Sequence, residues 1–179
     1  MSGMISLAIL IVFLLLFYLA GRLFKPPKIE DPVFGEMEGF LSSWSCTTFF
    51  PPENHDIELW LETEDGEPPG ERHHRLWREL VEDFPTRRPE WLEEIRRRAD
   101  PEVLLGDGIQ EIRLTSVEFP LEEDAFWTLE FSATDGTHRY NVGIEVENGS
   151  VIEVDIGPAD DETRREGDRR LREKYDIRT

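Results

Sequence analysis

The sequence predicts an α+β protein: an N-terminal transmembrane helix, one domain in which a helical pair packs on an antiparallel sheet, and a charged C-terminal helix. Three observations predict it. The run from Met4 to Gly21, MISLAILIVFLLLFYLAG, has Ser6 as its only clearly polar side chain. Between residues 40 and 157, several segments alternate apolar and polar residues with the period of two that half-buried strands require. Among them, residues 72–95 repeat their apolar side chains with a period near 3.6.

The apolar run comes first. At a helical rise of about 1.5 Å per residue its 18 residues reach roughly 27 Å, close to the hydrocarbon thickness of a bilayer. A signal peptide is the competing reading, and it wants basic residues before a shorter apolar core and a small-x-small cleavage site. No Lys or Arg precedes this run, and cleavage after Ala20 or Gly21 would place Tyr18 or Leu19 at the minus-three position. A retained helix over residues 4–24, after a three-residue tail, is therefore expected to engage the lipid bilayer. Arg22, Lys25 and Lys28 flank its C-terminal end. The positive-inside rule then puts the tail outside and the rest in the cytoplasm, anchored to the inner (plasma) membrane by a single pass. Residues 25–32, stiffened by Pro26 and Pro27, read as a juxtamembrane linker.

Residues 33–157 read as the α+β domain. From Phe40 to Phe50 the side chains of Phe40, Trp44, Cys46, Thr48 and Phe50 share parity, as on one face of a strand. Pro51-Pro52-Glu53-Asn54 turns the chain. Ile57, Leu59 and Leu61 then alternate with Glu58, Trp60 and Glu62, a strand with an acidic outer face. The loop EDGEPPGE at residues 64–71 ends this zone. Leu76, Trp77, Leu80, Val81 and Phe84 line one stripe of a helix that Pro85 is expected to stop. Pro89 suits the first turn of a second helix with Trp91, Leu92 and Ile95 inward. A β-meander follows. Ile112 and Leu114 differ in parity from Val117 and Phe119, which predicts a bulge near Thr115–Ser116. Trp127, Leu129, Phe131 and Ala133 alternate, as do Tyr140, Val142, Ile144 and Val146. Asn148-Gly149 accepts the positive φ angles of a type I′ turn, and Ile152, Val154 and Ile156 complete the meander. Residues 158–179 read as a charged C-terminal helix.

Charge narrows the function classes. The chain has 20 basic and 39 acidic residues and a formal charge of −19. The first 28 residues hold three of the basic residues and no acid, which leaves residues 29–179 at −22. A body so acidic repels phosphate backbones, so no nucleic-acid partner is expected, and a basic protein partner fits it. One cysteine excludes an internal disulfide and two-cysteine metal motifs.

Catalytic and metal motifs are sparse. Adjacent His73 and His74 diverge by about 100° on a helix and lack the H-E-x-x-H spacing. Glu122-Glu123-Asp124 and Asp160-Asp161-Glu162 lack the regular offsets of a calcium loop. Cys46 lies mid-strand between aromatic residues, which suits an inert thiol. No G-x-S-x-G elbow, P-loop or G-x-G-x-x-G is present. No catalytic, cofactor or metal residue is expected.

Asp31-Pro32-Val33-Phe34-Gly35, followed by the Trp44 strand, a paired-helix segment and a β-meander, resembles a broad group of small uncharacterised bacterial domains over residues 30–157. Some of that group are regarded as immunity proteins of polymorphic toxin systems. The resemblance implies an α+β binding module with no catalytic residues to transfer. The expected function is an anchored protein that presents an acidic, immunity-like protein-binding domain to the cytoplasm, with Glu58, Trp60 and Glu62 as candidate partner-binding residues. Two alternatives stand beside it: a membrane-tethered enzyme using His138 with Asp135 or Glu145, and a structural envelope protein of opposite topology.

Overall fold

The computed structural model describes residues 26–98, 109–121 and 126–174. Eight strands form one sheet whose spatial order is the chain order: β1 (Lys28–Asp31), β2 (Gly35–Phe40), β3 (Ser43–Phe50), β4 (His55–Glu62), β5 (Glu111–Phe119), β6 (Phe126–Thr134), β7 (Arg139–Glu147) and β8 (Ser150–Pro158). Two helices accompany them, α1 (Glu71–Arg98) and α2 (Asp161–Lys174), with one 3-10 turn at Glu64–Gly66. Every neighbouring pair of strands is antiparallel except β4 and β5. A tight turn only reverses a strand, whereas α1 crosses the sheet between β4 and β5 and so lets them run in the same direction.

Two expectations are corrected here. The helical pair is a single 28-residue helix that runs through Pro85 and Pro89. Pro85 removes the N–H that would reach the Val81 carbonyl, and Pro89 the one that would reach Pro85. Both prolines lie on the solvent side. Leu76, Leu80, Phe84, Trp91, Leu92 and Ile95 stay in phase along one buried stripe across both prolines. Packing of that stripe outweighs the cost of about 3 kcal/mol for each internal proline. The membrane-anchored architecture is corrected as well, because among the described residues no helix is long and apolar enough to cross a membrane. Residues 4–24, with Arg22 and Lys25, lie outside the described residues. Lys28, expected to flank a bilayer, is a β1 residue whose ammonium meets Glu36 and Glu38 at 3.0 and 2.7 Å. Among the described residues the fold is thus an eight-stranded, mostly antiparallel sheet with two helices.

The core lies between α1 and one face of the sheet. A chain of edge-to-face aromatic rings runs through it: Phe34 to Trp77 (5.9 Å between centroids), Trp77 to Phe50 (5.6 Å), Phe50 to Phe84 (4.8 Å), Phe84 to Trp91 (5.8 Å) and Trp91 to Trp127 (6.4 Å). Such pairs add to the burial of their large apolar areas. Polar anchors fix the helix at both ends. His73 donates from Nε2 to the Glu62 carbonyl at 2.9 Å, and Trp91 donates from Nε1 to the Gly149 carbonyl at 3.1 Å.

The parallel seam is short. Only Glu58–Leu61 pair with Ser116–Phe119, and nearer the beginning of β5 side chains replace the missing ladder. The Leu114 N–H donates to the Glu53 carboxylate at 2.9 Å, and His55 Nε2 donates to the Leu114 carbonyl at 2.7 Å. Arg88 reaches both Glu53 (2.7 Å) and the Ile112 carbonyl (3.0 Å). Glu53→Ala strands the Leu114 amide and the Arg88 guanidinium together, so equilibrium denaturation is expected to register a loss of about 1–3 kcal/mol. Glu53→Gln, which keeps an acceptor, is expected to lose less. Equal losses in the two variants would contradict this account of the seam.

Candidate functional site

With α1 on one side, the other face of the sheet presents exposed side chains of β3, β4, β6 and β8 among the described residues. Cross-strand register builds two adjacent rows on it. One row runs Ser45, Trp60, Glu118, Thr128, Glu145, Glu153, and the next runs Thr47, Glu58, Ser116, Glu130, Gly143, Asp155. Trp60 therefore stands among carboxylates from three strands. It is 40% exposed. Around it lies a hollow of about 270 Å³ lined by Glu58, Trp60, Ser116, Glu118, Thr128 and Glu130.

The electrostatics are one-sided at this place. Burial pushes the Glu118 carboxyl above its ordinary value, and the nearby charges of Glu62 and Glu130 push it in the same direction. Among the described residues, no Lys or Arg forms an ion pair with Glu58, Glu62, Glu118 or Glu130. Glu62 instead accepts the Leu121 N–H at 3.1 Å. Basic residues on this face are Lys28 at the β1 edge and Arg113 and Arg139 where β5 and β7 begin.

The predicted trio Glu58, Trp60 and Glu62 stands together on the open face of β4, because strict alternation sends Ile57, Leu59 and Leu61 into the core. Sequence reasoning missed Glu118 and Glu130. Their place beside Trp60 depends on the β4–β5 register, which no hairpin turn sets.

The other candidates have structural partners. Asp31 Oδ1 accepts the N–H groups of Val33 (2.8 Å) and Phe34 (3.0 Å), and its carboxylate meets His74 Nε2 at 3.0 Å. The motif at residues 31–35 is thus a turn clipped to α1. Cys46 is half-buried, and burial followed by the charge of Asp31 pushes its thiol up to about 11, which keeps it protonated and unreactive at neutral pH. His138 does meet Asp135, with Nδ1 at 2.9 Å from Oδ2. The same carboxylate also accepts the N–H groups of Thr137 and His138 and the Tyr140 hydroxyl, so it closes the β6–β7 turn. Glu145 lies away from His138, in the row of Trp60. Asp160 caps α2 through the Thr163 N–H at 2.8 Å, and residues 122–124 lie outside the described residues. No group of three potential metal ligands occurs among the described residues. Comparison with protein-family models, with curated proteins and with solved structures finds no match for this chain.

Proposed function

We propose that this domain binds a basic protein partner through the open face of its sheet, centred on Glu58, Trp60 and Glu62. One observation carries the reading: a partly exposed tryptophan set among carboxylates with which no Lys or Arg pairs among the described residues, on the sheet face opposite α1. Long-range attraction between this face and a basic surface speeds encounter, and burial of an aromatic anchor then slows departure. If the likeness to immunity domains extends to function, that partner is a basic toxin.

The test uses the full chain and a lysine–glycine repeat peptide as a cationic probe. Binding is expected to weaken steeply with added salt. It is expected to fall about tenfold in the double variant Glu58→Lys/Glu62→Lys, which replaces attraction with repulsion on the face. The control reverses two exposed acids of α1, Glu82→Lys/Asp83→Lys, at the same cost in net charge. An equal fall in the control would mean that the probe senses total charge alone, and the proposal would fail.

A further inference from the structure

Resting on that reading, we propose that the hollow around Trp60 is a socket for a single arginine side chain of the basic partner. Its size fits one side chain. At about 270 Å³ it lies below the usual range for pockets that enclose a drug-sized ligand, roughly 300–1,000 Å³.

Its lining fits a planar cation. The indole of Trp60 offers a π face, which attracts a guanidinium laid over it. Glu58, Glu118 and Glu130 stand around that ring, one from each of three successive strands. A guanidinium carries five N–H donors in a rigid fork that matches carboxylates two bonds at a time, whereas the lysine ammonium is a compact, strongly hydrated point charge. Arginine is also the easier of the two to strip of water, and this hollow is partly dry: Ser116 is buried, and Thr128 and Glu118 are half-buried.

Charge completes the argument. Glu118 is held among like charges from Glu62 and Glu130, and burial works against its ionised form as well. A cation placed there relieves repulsion that the folded chain otherwise carries. Acids alone would attract any cation without preference. The exposed indole in their midst gives the site its preference for a flat one.

The experiment titrates the full chain with two peptides of equal length and charge, one an arginine–glycine repeat and the other a lysine–glycine repeat. The readouts are affinity and the indole N–H resonance of Trp60, assigned from Trp60→Phe among the five tryptophans. The arginine peptide is expected to bind about fivefold tighter and to shift the Trp60 resonance. Trp60→Leu is expected to abolish the preference, weakening the arginine peptide more than the lysine peptide. Glu118→Gln is expected to weaken the arginine peptide more than the lysine peptide. If both peptides bind equally and leave the Trp60 resonance unmoved, the socket is wrong while the acidic docking face stands. If neither peptide distinguishes the native chain from Glu58→Lys/Glu62→Lys, both proposals fall.

Discussion

Replacing Trp91 by alanine is expected to lower the unfolding free energy by about 3–5 kcal/mol, the range for deleting a large aromatic side chain from a core. Trp91 is 1% exposed and is the fifth of the six rings in the aromatic chain, between those of Phe84 and Trp127. Its removal opens a cavity lined by two other rings. It also frees the Gly149 carbonyl, which accepts the indole N–H. Gly149 sits in the β7–β8 turn at φ +79, beside Asn148 at φ +51. The substitution thus weakens a hairpin as well as the helix packing. Equilibrium denaturation checks it. The midpoint should fall at nearly constant slope, and Trp91→Phe should retain part of the packing and lose the hydrogen bond. A loss below about 1 kcal/mol for alanine would show that the C-terminal half of the helix is not held as described.

Removing the carboxylate of Asp135 is the second large effect. Asp135→Ala is expected to cost about 3 kcal/mol, because four donors converge on one buried side chain and each loses its acceptor. The effect has a pH signature. Burial alone would push this carboxyl up. The N–H and ring of His138, the N–H of Thr137 and the Tyr140 hydroxyl outweigh it and hold the carboxyl well below its ordinary value. The unfolded chain therefore takes up its proton first as pH falls. Stability from Asp135 is fully present above about pH 4 and is lost progressively as pH drops toward the folded value. Asp135→Asn, which cannot titrate, should show a shallower loss of stability below pH 4 than the native chain. Parallel curves for the two proteins would contradict the assignment.

The hairpins were legible because their signals are local. Asn148-Gly149 marks the β7–β8 turn, and the parity change at Leu114 and Val117 marks the register shift seen between Leu114 and Ser116. A second bulge was not legible. The β7–β8 register slips between Glu145 and Val146, which leaves Ile152 exposed where alternation had placed it with Val154 and Ile156. Strands β1 and β2 were missed as well. Four residues of β1 fell within the expected linker, and Phe40, grouped with Trp44, lies on β2 and is exposed. Short strands carry too few alternations to declare a period. The continuity of α1 was hidden because a local rule, that proline ends a helix, yields to the packing of a stripe that extends beyond it.

Half of the candidate site was likewise local. Alternation along β4 set Glu58, Trp60 and Glu62 outward. That they stay uncovered depends on which face α1 takes. The neighbours Glu118 and Glu130 come from strands on the far side of the helical crossover, where sequence spacing says nothing about register.

Mapping backbone amide shifts of the full chain as the lysine–glycine peptide is added tests the central claim most directly. The account predicts that the largest changes fall on β4, β5 and β6 around Trp60, Glu118 and Glu130. Changes concentrated instead on the exposed side of α1 or on the β6–β7 turn would contradict it.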